Sequence, residues 1–230
     1  MNRYASKFLF ALFFISAFII SGVAQESVPV EKEPMHRLKL ENEFVRVFDV
    51  LVPVGKSTQF HVHVYDGISI RLSNTQIVDD TPGGEKAPFE ITFGAATFSS
   101  RTSPQTHRVI NSGKSDFRNI LIELLTPKNA VRPIAFPVLS DGHVILIDND
   151  RVRINRLILK PGESSKMHTH QMHGLGLVLF DSKIEISLPD GTKRNLEAKA
   201  GDAVWQNKGT AHVIKNTGTT VFEAIDIELK

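Results

Sequence analysis

Six of the nine histidines form two sets with the same spacing, and imidazole is a common ligand of transition metals in proteins. In each set, one His-x-His pair is followed much later by a third histidine. Alternate residues of a β-strand face the same side, so each pair can share a barrel interior, and a distant strand can supply the third ligand. Three neutral imidazoles suit Fe, Mn, Zn, Ni, Cu or Co and leave coordination positions open. The predicted metal ligands are His61, His63 and His107 in the first set and His168, His170 and His212 in the second.

The second set is predicted to be the better formed of the two. Gly209 stands three residues before His212, where a glycine relieves a tight turn. The first set has Pro104 three residues before His107, and its loop is two residues longer. We therefore expect His107 to be the less secure ligand.

The histidines belong to an internal repeat that spans most of the chain. Residues 41–47 match residues 148–154, and the offset of 107 also relates His61 to His168 and Gly94 to Gly201. After a two-residue insertion in the first copy, the offset becomes 105, and residues 122–124 match residues 227–229. A repeat that holds histidines and glycines in frame indicates a duplicated domain.

Both copies read as short strands separated by turns. Residues 44–52 and 151–159 are rich in β-forming residues, and Pro-Gly turn signals follow at 82–83 and 161–162. No long amphipathic helical stretch follows residue 24, which favours an all-β protein of two tandem barrels or sandwiches. The predicted organisation is an N-terminal arm at 25–37, a first barrel at 38–126, a linker at 127–141 and a second barrel at 142–230.

Two motifs in each copy resemble those of the cupin superfamily. A glycine precedes His-x-His by six residues in both copies, and in the second copy the series Gly201, Gly209, His212 and Asn216 resembles the second cupin motif. The resemblance covers nearly all of residues 38–230. It implies two tandem jelly-roll barrels, a bicupin, in which the motif histidines hold a divalent metal.

The usual metal-binding glutamate of the family is missing from both copies. Its place is taken by Gly67-Ile68 and Gly174-Leu175. Three-histidine cupin centres exist among thiol dioxygenase-like members, so the resemblance still implies metal. Asp66 and His173 occupy equivalent places one residue earlier, and each remains an alternative fourth ligand. Without the carboxylate, the site charge lies near +2, which favours an anionic or chelating substrate.

Other polar and aromatic residues have less specific interpretations. His36 and His143 lie outside the two sets and are predicted to be surface residues. Phe98 and Trp205 are predicted to pack in the barrels, with a place at the pocket mouth as the alternative. Arg101 and Arg108 either meet an anionic substrate or lie on a solvated loop. Asn111 and Asn216 are predicted to be turn residues or to support the ligands.

Two functions fit these residues. The first is a metal-dependent dioxygenase acting on a small organic molecule, and no catalytic residue beyond the metal ligands stands out. The second is a non-catalytic periplasmic protein that binds a small ligand or a metal. A storage-type bicupin would usually lack intact triads. The sequence has no phosphate-binding loop and no basic cluster, so nucleic acid is not an expected partner. It is compatible with a homodimer.

The first 24 residues have the form of a secretory signal peptide. Arg3 and Lys7 precede an apolar run over 8–20, and Gly22 and Ala24 supply small residues before a cleavage site. Such a run is short for a membrane span, although an uncleaved anchor is the alternative. We expect a periplasmic or secreted bacterial protein without stable membrane insertion after cleavage. The absence of cysteine excludes disulfides and thiolate metal ligands.

Overall fold

The structure, a computed structural model, describes residues 26–127 and 142–230. Within these ranges it is β-structure except for one turn of 3-10 helix, Val30–Lys32, so the predicted all-β fold is confirmed. The predicted signal peptide at 1–24 and nearly all of the predicted linker at 127–141 lie outside the described residues. No helix among the described residues is long and apolar enough to span a membrane.

The first half of the described chain contains ten strands in two five-stranded sheets. They are β1 (Val28–Pro29), β2 (His36–Glu41), β3 (Val45–Val52), β4 (His61–His63), β5 (Asp66–Arg71), β6 (Thr75–Asp80), β7 (Pro88–Ile91), β8 (Ala96–Ser99), β9 (Gln105–Asn111) and β10 (Phe117–Leu124). One sheet has the order β1-β4-β9-β6-β7, and the other has the order β2-β3-β10-β5-β8. The two sheets form the first barrel.

The second half repeats this arrangement with nine strands. They are β11 (His143–Asp148), β12 (Val152–Leu159), β13 (His168–Thr169), β14 (Gly174–Val178), β15 (Ser182–Ser187), β16 (Lys193–Ala198), β17 (Ala203–Gln206), β18 (Ala211–Asn216) and β19 (Phe222–Leu229). Their sheets have the orders β13-β18-β15-β16 and β11-β12-β19-β14-β17. The first strand of the chain, β1, accounts for the difference between the halves.

The N-terminal arm is part of the first barrel. Strand β1 pairs in parallel with β4, and Val30 is buried in the core. The predicted barrel boundary at residue 38 falls inside β2, which begins at His36.

A shared hydrophobic core joins the two barrels. It contains buried residues of β3, β5 and β10 from the first barrel and of β12, β14 and β19 from the second. In β5, Ile68 and Ile70 belong to this core, so the alternate residues Ser69 and Arg71 face the opposite side and line the cavity of the first barrel. In β10, Ile120 faces the shared core in the same way. Each of these sheets therefore has one face toward the other barrel and one face toward its own cavity.

Candidate metal centres

The first three predicted ligands meet inside the first barrel. His61 and His63 lie at the two ends of β4, so both side chains point inward, and His61 is the cross-strand partner of His107 on β9. The Nε2 atoms of His63 and His107 are 3.1 Å apart. One potential ligand atom from each of the three residues lies within 4.8 Å of the others.

The second set forms the same arrangement in the second barrel. His168 on β13 is the cross-strand partner of His212 on β18. The Nε2 atoms of His170 and His212 are 3.3 Å apart, and the three ligand atoms again lie within 4.8 Å of one another. The longer loop and Pro104 of the first copy therefore leave His107 in the same register as His212. The expected difference in metal affinity between the two sets stays a prediction.

Backbone carbonyl groups orient the first histidine of each triad. Nδ1 of His61 lies 2.9 Å from the Gln59 carbonyl oxygen, and Nδ1 of His168 lies 3.0 Å from that of Lys166. A carbonyl oxygen only accepts, so Nδ1 must carry the proton in each ring. The Nε2 lone pair is then free to coordinate, and Nε2 of His168 is buried without a hydrogen-bond partner among the described residues.

Burial favours the neutral form of the buried imidazoles, and metal ligation requires that form. Burial and the neighbouring His107 lower the pKa of His61 to about 4, and burial with the neighbouring His168 lowers the pKa of His212 to about 4. Burial also lowers the pKa of His63 and of His170. At neutral pH these four imidazoles therefore offer lone pairs rather than positive charges.

The spacing of the nitrogen atoms fits a divalent transition metal. Two imidazoles bound at about 2.1 Å have nitrogen atoms about 3.0 Å apart in octahedral geometry and about 3.4 Å apart in tetrahedral geometry. The separations of 3.1 Å and 3.3 Å lie within that range. In each triad one pair of nitrogen atoms therefore has the spacing of two ligands of one metal, and the third histidine offers a nitrogen within 4.8 Å of both.

The third histidines have different supports. Nδ1 of His107 lies 2.5 Å from Oδ1 of Asp79 on the adjacent strand β6. A carboxylate in this position fixes the ring and makes its other nitrogen a better ligand. The repeat places Ile186 where the first barrel has Asp79, so His212 lacks this carboxylate.

A buried glutamate stands opposite the position of the missing family glutamate in each barrel. Gly67 is the cross-strand partner of Glu123, and Gly174 is that of Glu228. Oε1 of Glu123 lies 3.8 Å from Nδ1 of His63. Burial raises the pKa of Glu123 to about 7, although Arg46 lowers it. Burial also raises the pKa of Glu228. Neither glutamate belongs to the converging ligand atoms.

The two alternative fourth ligands lie between the barrels instead. Oδ2 of Asp66 is 3.2 Å from Nε of Arg151 in the other barrel, and the His173 ring stacks on Phe44 of the other barrel at 4.7 Å. Strand β5 begins at Asp66 and belongs to a different sheet from β4. The alternation that points His61 and His63 into the barrel therefore does not predict the direction of the Asp66 side chain. Neither Asp66 nor His173 is a ligand of these triads.

The prediction that His36 and His143 are surface residues is wrong. His36 is 8% exposed, with its ring centroid 4.7 Å from that of His61. The His143 side chain is fully buried, its ring is 5.2 Å from that of His168, and its Nε2 lies 3.1 Å from Oδ2 of Asp226. The two residues begin β2 and β11 and are separated by the repeat offset of 107, which is the signal that sequence reasoning missed.

The asparagines at the end of the repeat are turn residues, as predicted. Asn111 donates from Nδ2 to the carbonyl oxygens of Val52 and Ser115, and Gly113 N–H donates to its Oδ1. Asn216 makes the equivalent three bonds in the second barrel. Gly55 and Gly162 adopt positive φ angles of 70° and 82° in the turns before the His-x-His strands, and each donates its N–H to the carbonyl group of one of these asparagines.

The two arginines and two aromatic residues singled out in the sequence lie in different environments. Arg101 lines the cavity of the first barrel, whereas Arg108 donates from Nε to Asp80 at 2.7 Å and does not line that cavity. Phe98 and Trp205 pack against the shared core, as predicted, and Trp205 also borders the second cavity.

The first triad lines a cavity of its barrel, and one histidine of the second triad borders a cavity of the second barrel. The first has a volume of ≈ 140 Å³ and contains the first triad together with His36. The second is larger, at ≈ 410 Å³, and reaches His212. The first is large enough for several waters or a ligand of a few heavy atoms, and the second reaches the size of an ordinary small-molecule site.

Comparison with protein-family models gives no match, and comparison with curated protein sequences gives none either. Solved structures do match. AerE from Microcystis aeruginosa is 12% identical over 86% of this chain and 98% of that one, with a TM-score of 0.58. Oxalate decarboxylase from Bacillus subtilis is 12% identical over 81% of this chain and 68% of that one, with a TM-score of 0.55. A cupin domain from Bordetella pertussis is 22% identical over 43% of this chain and 99% of that one, with a TM-score of 0.37.

The similarity to AerE and oxalate decarboxylase extends over both barrels of this chain. At these identities it establishes the fold alone. The two-barrel cupin fold that the sequence motifs imply is thereby confirmed.

Proposed function

We propose that this protein is an exported, metal-dependent enzyme that acts on a small organic molecule with dioxygenase-type chemistry. The observation that carries the proposal is that, in both barrels, three inward-facing imidazoles each place one potential ligand nitrogen within 4.8 Å of the others. A divalent metal held by three histidines supplies open coordination positions for a small substrate and O2. Iron is the metal that fits this reaction best, and Mn, Zn, Ni, Cu and Co fit the same ligands.

The protein supplies the orientation of the ligands and a closed space for the substrate. The carbonyl groups of Gln59 and Lys166 hold the first imidazoles, and Asp79 holds His107. The similarity in fold to oxalate decarboxylase, whose Mn(II) centres have been characterised, supports a divalent metal in such barrels.

The test is metal analysis of the purified mature protein beside two double variants. We expect two metal ions per chain in the wild type and one in each of His61→Ala/His63→Ala and His168→Ala/His170→Ala. His173→Ala is the matched control, because it removes a histidine outside both triads and should leave two ions bound. Thermal melts confirm that each variant folds. Full metal content in both double variants would refute ligation by the triads.

Oxygen uptake then separates the enzyme from the alternative of a non-catalytic binding protein. The metal-loaded protein is incubated with a panel of small organic acids, thiols and diketones, and O2 consumption is followed. Uptake with one class of compound, lost in the double variants, supports the proposal. Metal binding without uptake across the panel would favour the binding protein.

Export is tested separately by mass spectrometry of the native N-terminus. The pattern of residues 1–24 supports cleavage after Ala24. A mature chain that begins at Gln25 in the periplasm or medium is the expected result. A chain that retains Met1 in the membrane fraction would favour an anchored protein.

A further inference from the structure

The walls of the two cavities differ systematically at equivalent positions. Cross-strand pairing confirms the equivalence: Arg71 pairs with Asn119 in the first barrel, and Val178 pairs with Ala224 in the second. A second cross-strand pair of the first barrel, Ser69 and Thr97, is also polar. The equivalent pair of the second barrel is Gly176 and Val204, which have no polar side chains. At these two pairs, polar side chains of the first cavity correspond to residues without polar side chains in the second.

Arg71 is the central member of the polar wall. It is partly buried, and its Nη1 donates to Oδ1 of Asn119 at 3.1 Å, while its guanidinium carbon lies 5.5 Å from the centre of the Phe117 ring. Asp79 acts on Arg71 electrostatically, but no carboxylate of the described residues lies within ion-pair distance of it, and its other N–H groups have no hydrogen-bond partner there. Burial lowers the pKa of Arg71 to about 10, so the group is still a cation at neutral pH.

A second guanidinium, that of Arg101, reaches the same cavity. Its Nη1 lies 2.9 Å from the point that a Cβ at Gly67 would occupy, which is the position of the missing family glutamate, and it donates to the Tyr65 carbonyl oxygen. The acidic group of this wall, Asp79, is already bonded to His107. The cavity thus presents two guanidinium groups, the Asp79 carboxylate and the three imidazoles of the triad.

The second cavity offers no counterpart of Arg71. Its lining is mainly apolar, and its polar groups include Gln206 and Asp226, whose Oδ2 lies 3.1 Å from Nε2 of His143. Its arginine, Arg194, is an exposed residue of β16.

We infer that Arg71 is the anchor of a carboxylate-binding subsite in the first barrel, and that the second barrel lacks this subsite. Arginine binds carboxylates through two parallel N–H donors, and a partly buried guanidinium that no carboxylate contacts is suited to do so. The cavity volume of ≈ 140 Å³ restricts the ligand to a small carboxylate. The inference deepens the proposed function, on which it rests, by naming the substrate class of the first barrel.

The experiment compares acetate with acetamide, which has nearly the same shape and no charge. Binding is measured by NMR titration of isotope-labelled ligand, both with the protein as purified and after removal of metal by dialysis against a chelator and then buffer. We expect acetate to bind in preference to acetamide. A hydrogen bond between charged groups contributes more to the binding free energy than a hydrogen bond between neutral groups. Arg71→Val should therefore weaken acetate binding by about tenfold to a hundredfold.

Two further variants make the result specific. Arg71→Gln keeps the polar bulk and removes the charge, so it tests the subsite even where Arg71→Val fails to fold. Arg37→Val removes an exposed arginine of β2 and should leave acetate binding unchanged. Acetate binding that is equal in wild type, Arg71→Val and Arg71→Gln, or acetamide binding as tight as acetate, would overturn the inference.

The failure of this inference is distinguishable from the failure of the proposed function. Acetate binding in the metal-depleted protein depends on Arg71 and not on a bound metal. A chain that binds no metal but shows Arg71-dependent acetate binding would refute the metal enzyme and retain the subsite. A chain that binds two metals but whose acetate binding is independent of Arg71 would retain the metal centres and refute the subsite.

Discussion

Removing the Asp79 carboxylate should weaken metal binding in the first triad without affecting the second. Asp79 holds Nδ1 of His107 at 2.5 Å, which fixes the proton on that nitrogen and directs Nε2 toward His63. In Asp79→Ala the ring can rotate or change tautomer, and it is a weaker electron donor. The second triad has no such carboxylate, so it serves as an internal reference.

The size of the effect follows from the exposure of the carboxylate. Loss of a hydrogen-bond partner of a metal-binding histidine typically reduces metal affinity by about tenfold to a hundredfold. The Asp79 side chain is 43% exposed, so water can replace part of its effect. We therefore expect the lower end of the range, about tenfold, which corresponds to about 1.4 kcal/mol.

The assay isolates the first triad in a His168→Ala/His170→Ala background. In this background, Zn²⁺ affinity is measured by competition with a chromophoric chelator at pH 7 for three proteins: one that retains Asp79, one with Asp79→Asn and one with Asp79→Ala. Asn keeps an acceptor oxygen, so its loss should be the smaller of the two. Unchanged affinity in Asp79→Ala would refute the argument. An equal loss at the second triad, measured in a His61→Ala/His63→Ala background, would also refute it, since that result indicates a general effect on folding.

Two further predictions concern stability. The metal-free protein should lose stability as pH falls from about 6.5 to 4, because the pKa of His61 and of His212 is lowered to about 4 by burial, whereas an unfolded histidine titrates near 6.5. The unfolded chain takes up protons first, so the contribution is complete above about pH 6.5 and is lost toward pH 4; urea midpoints at pH 7, 6, 5 and 4 measure it. Asp66→Ala should destabilise the protein by about 3–5 kcal/mol, because it leaves the Arg151 charge buried between the barrels without its partner; urea unfolding at pH 7 measures it.

Each stability prediction has a clear contrary result. The buried Glu123 carboxyl group, whose pKa is raised to about 7, acts in the opposite direction, so the test uses a Glu123→Gln background. The same urea midpoint at pH 7 and pH 5 in that background would mean that these histidines are not buried as neutral groups. For the ion pair, the control is Lys183→Ala, which removes an exposed partner of Glu197 and should leave the midpoint unchanged. An Asp66→Ala midpoint equal to that of the control would show that the ion pair does not stabilise the contact between the barrels.

The strands and the two triads could be predicted because their signals are local or repeated. Alternation within a strand is a property of neighbouring residues, and the repeat tied His107 to His212 across a change of offset. The position of Asp66 could not be predicted in this way. Alternation continues only within one strand, and the chain leaves one sheet after His63 and enters the other at Asp66. Which way Asp66 points is set by the pairing of β5 with β8 and β10, which lie far away in sequence.

The environment of His36 was missed for a related reason. A histidine near a chain terminus and outside a recognised motif gives no local sign of burial. The neighbours of His36 come from β3 and β4 and from the preceding turn, whose Val30 carbonyl oxygen lies 3.3 Å from its Nδ1. The repeat offset of 107 between His36 and His143 was present in the sequence. A histidine found at equivalent positions in both copies of a duplicated domain favours a shared structural role over two unrelated surface residues.

The metal-binding histidines and the variable wall residues lie on different sheets of a barrel. This separation explains why the two triads match while the two cavity walls differ. In the first barrel the triad lies on β4 and β9 of one sheet, whereas Arg71 and Asn119 lie on β5 and β10 of the other. A substitution on β5 or β10 can therefore change the charge of the wall without moving an imidazole. The parts that coincide in both barrels, the His-x-His strand and the asparagine turn, are those that set the positions of the imidazoles. Replacement of Arg71 should accordingly alter ligand choice and leave metal affinity intact, as expected if metal binding and ligand selection reside on separate sheets of the same barrel.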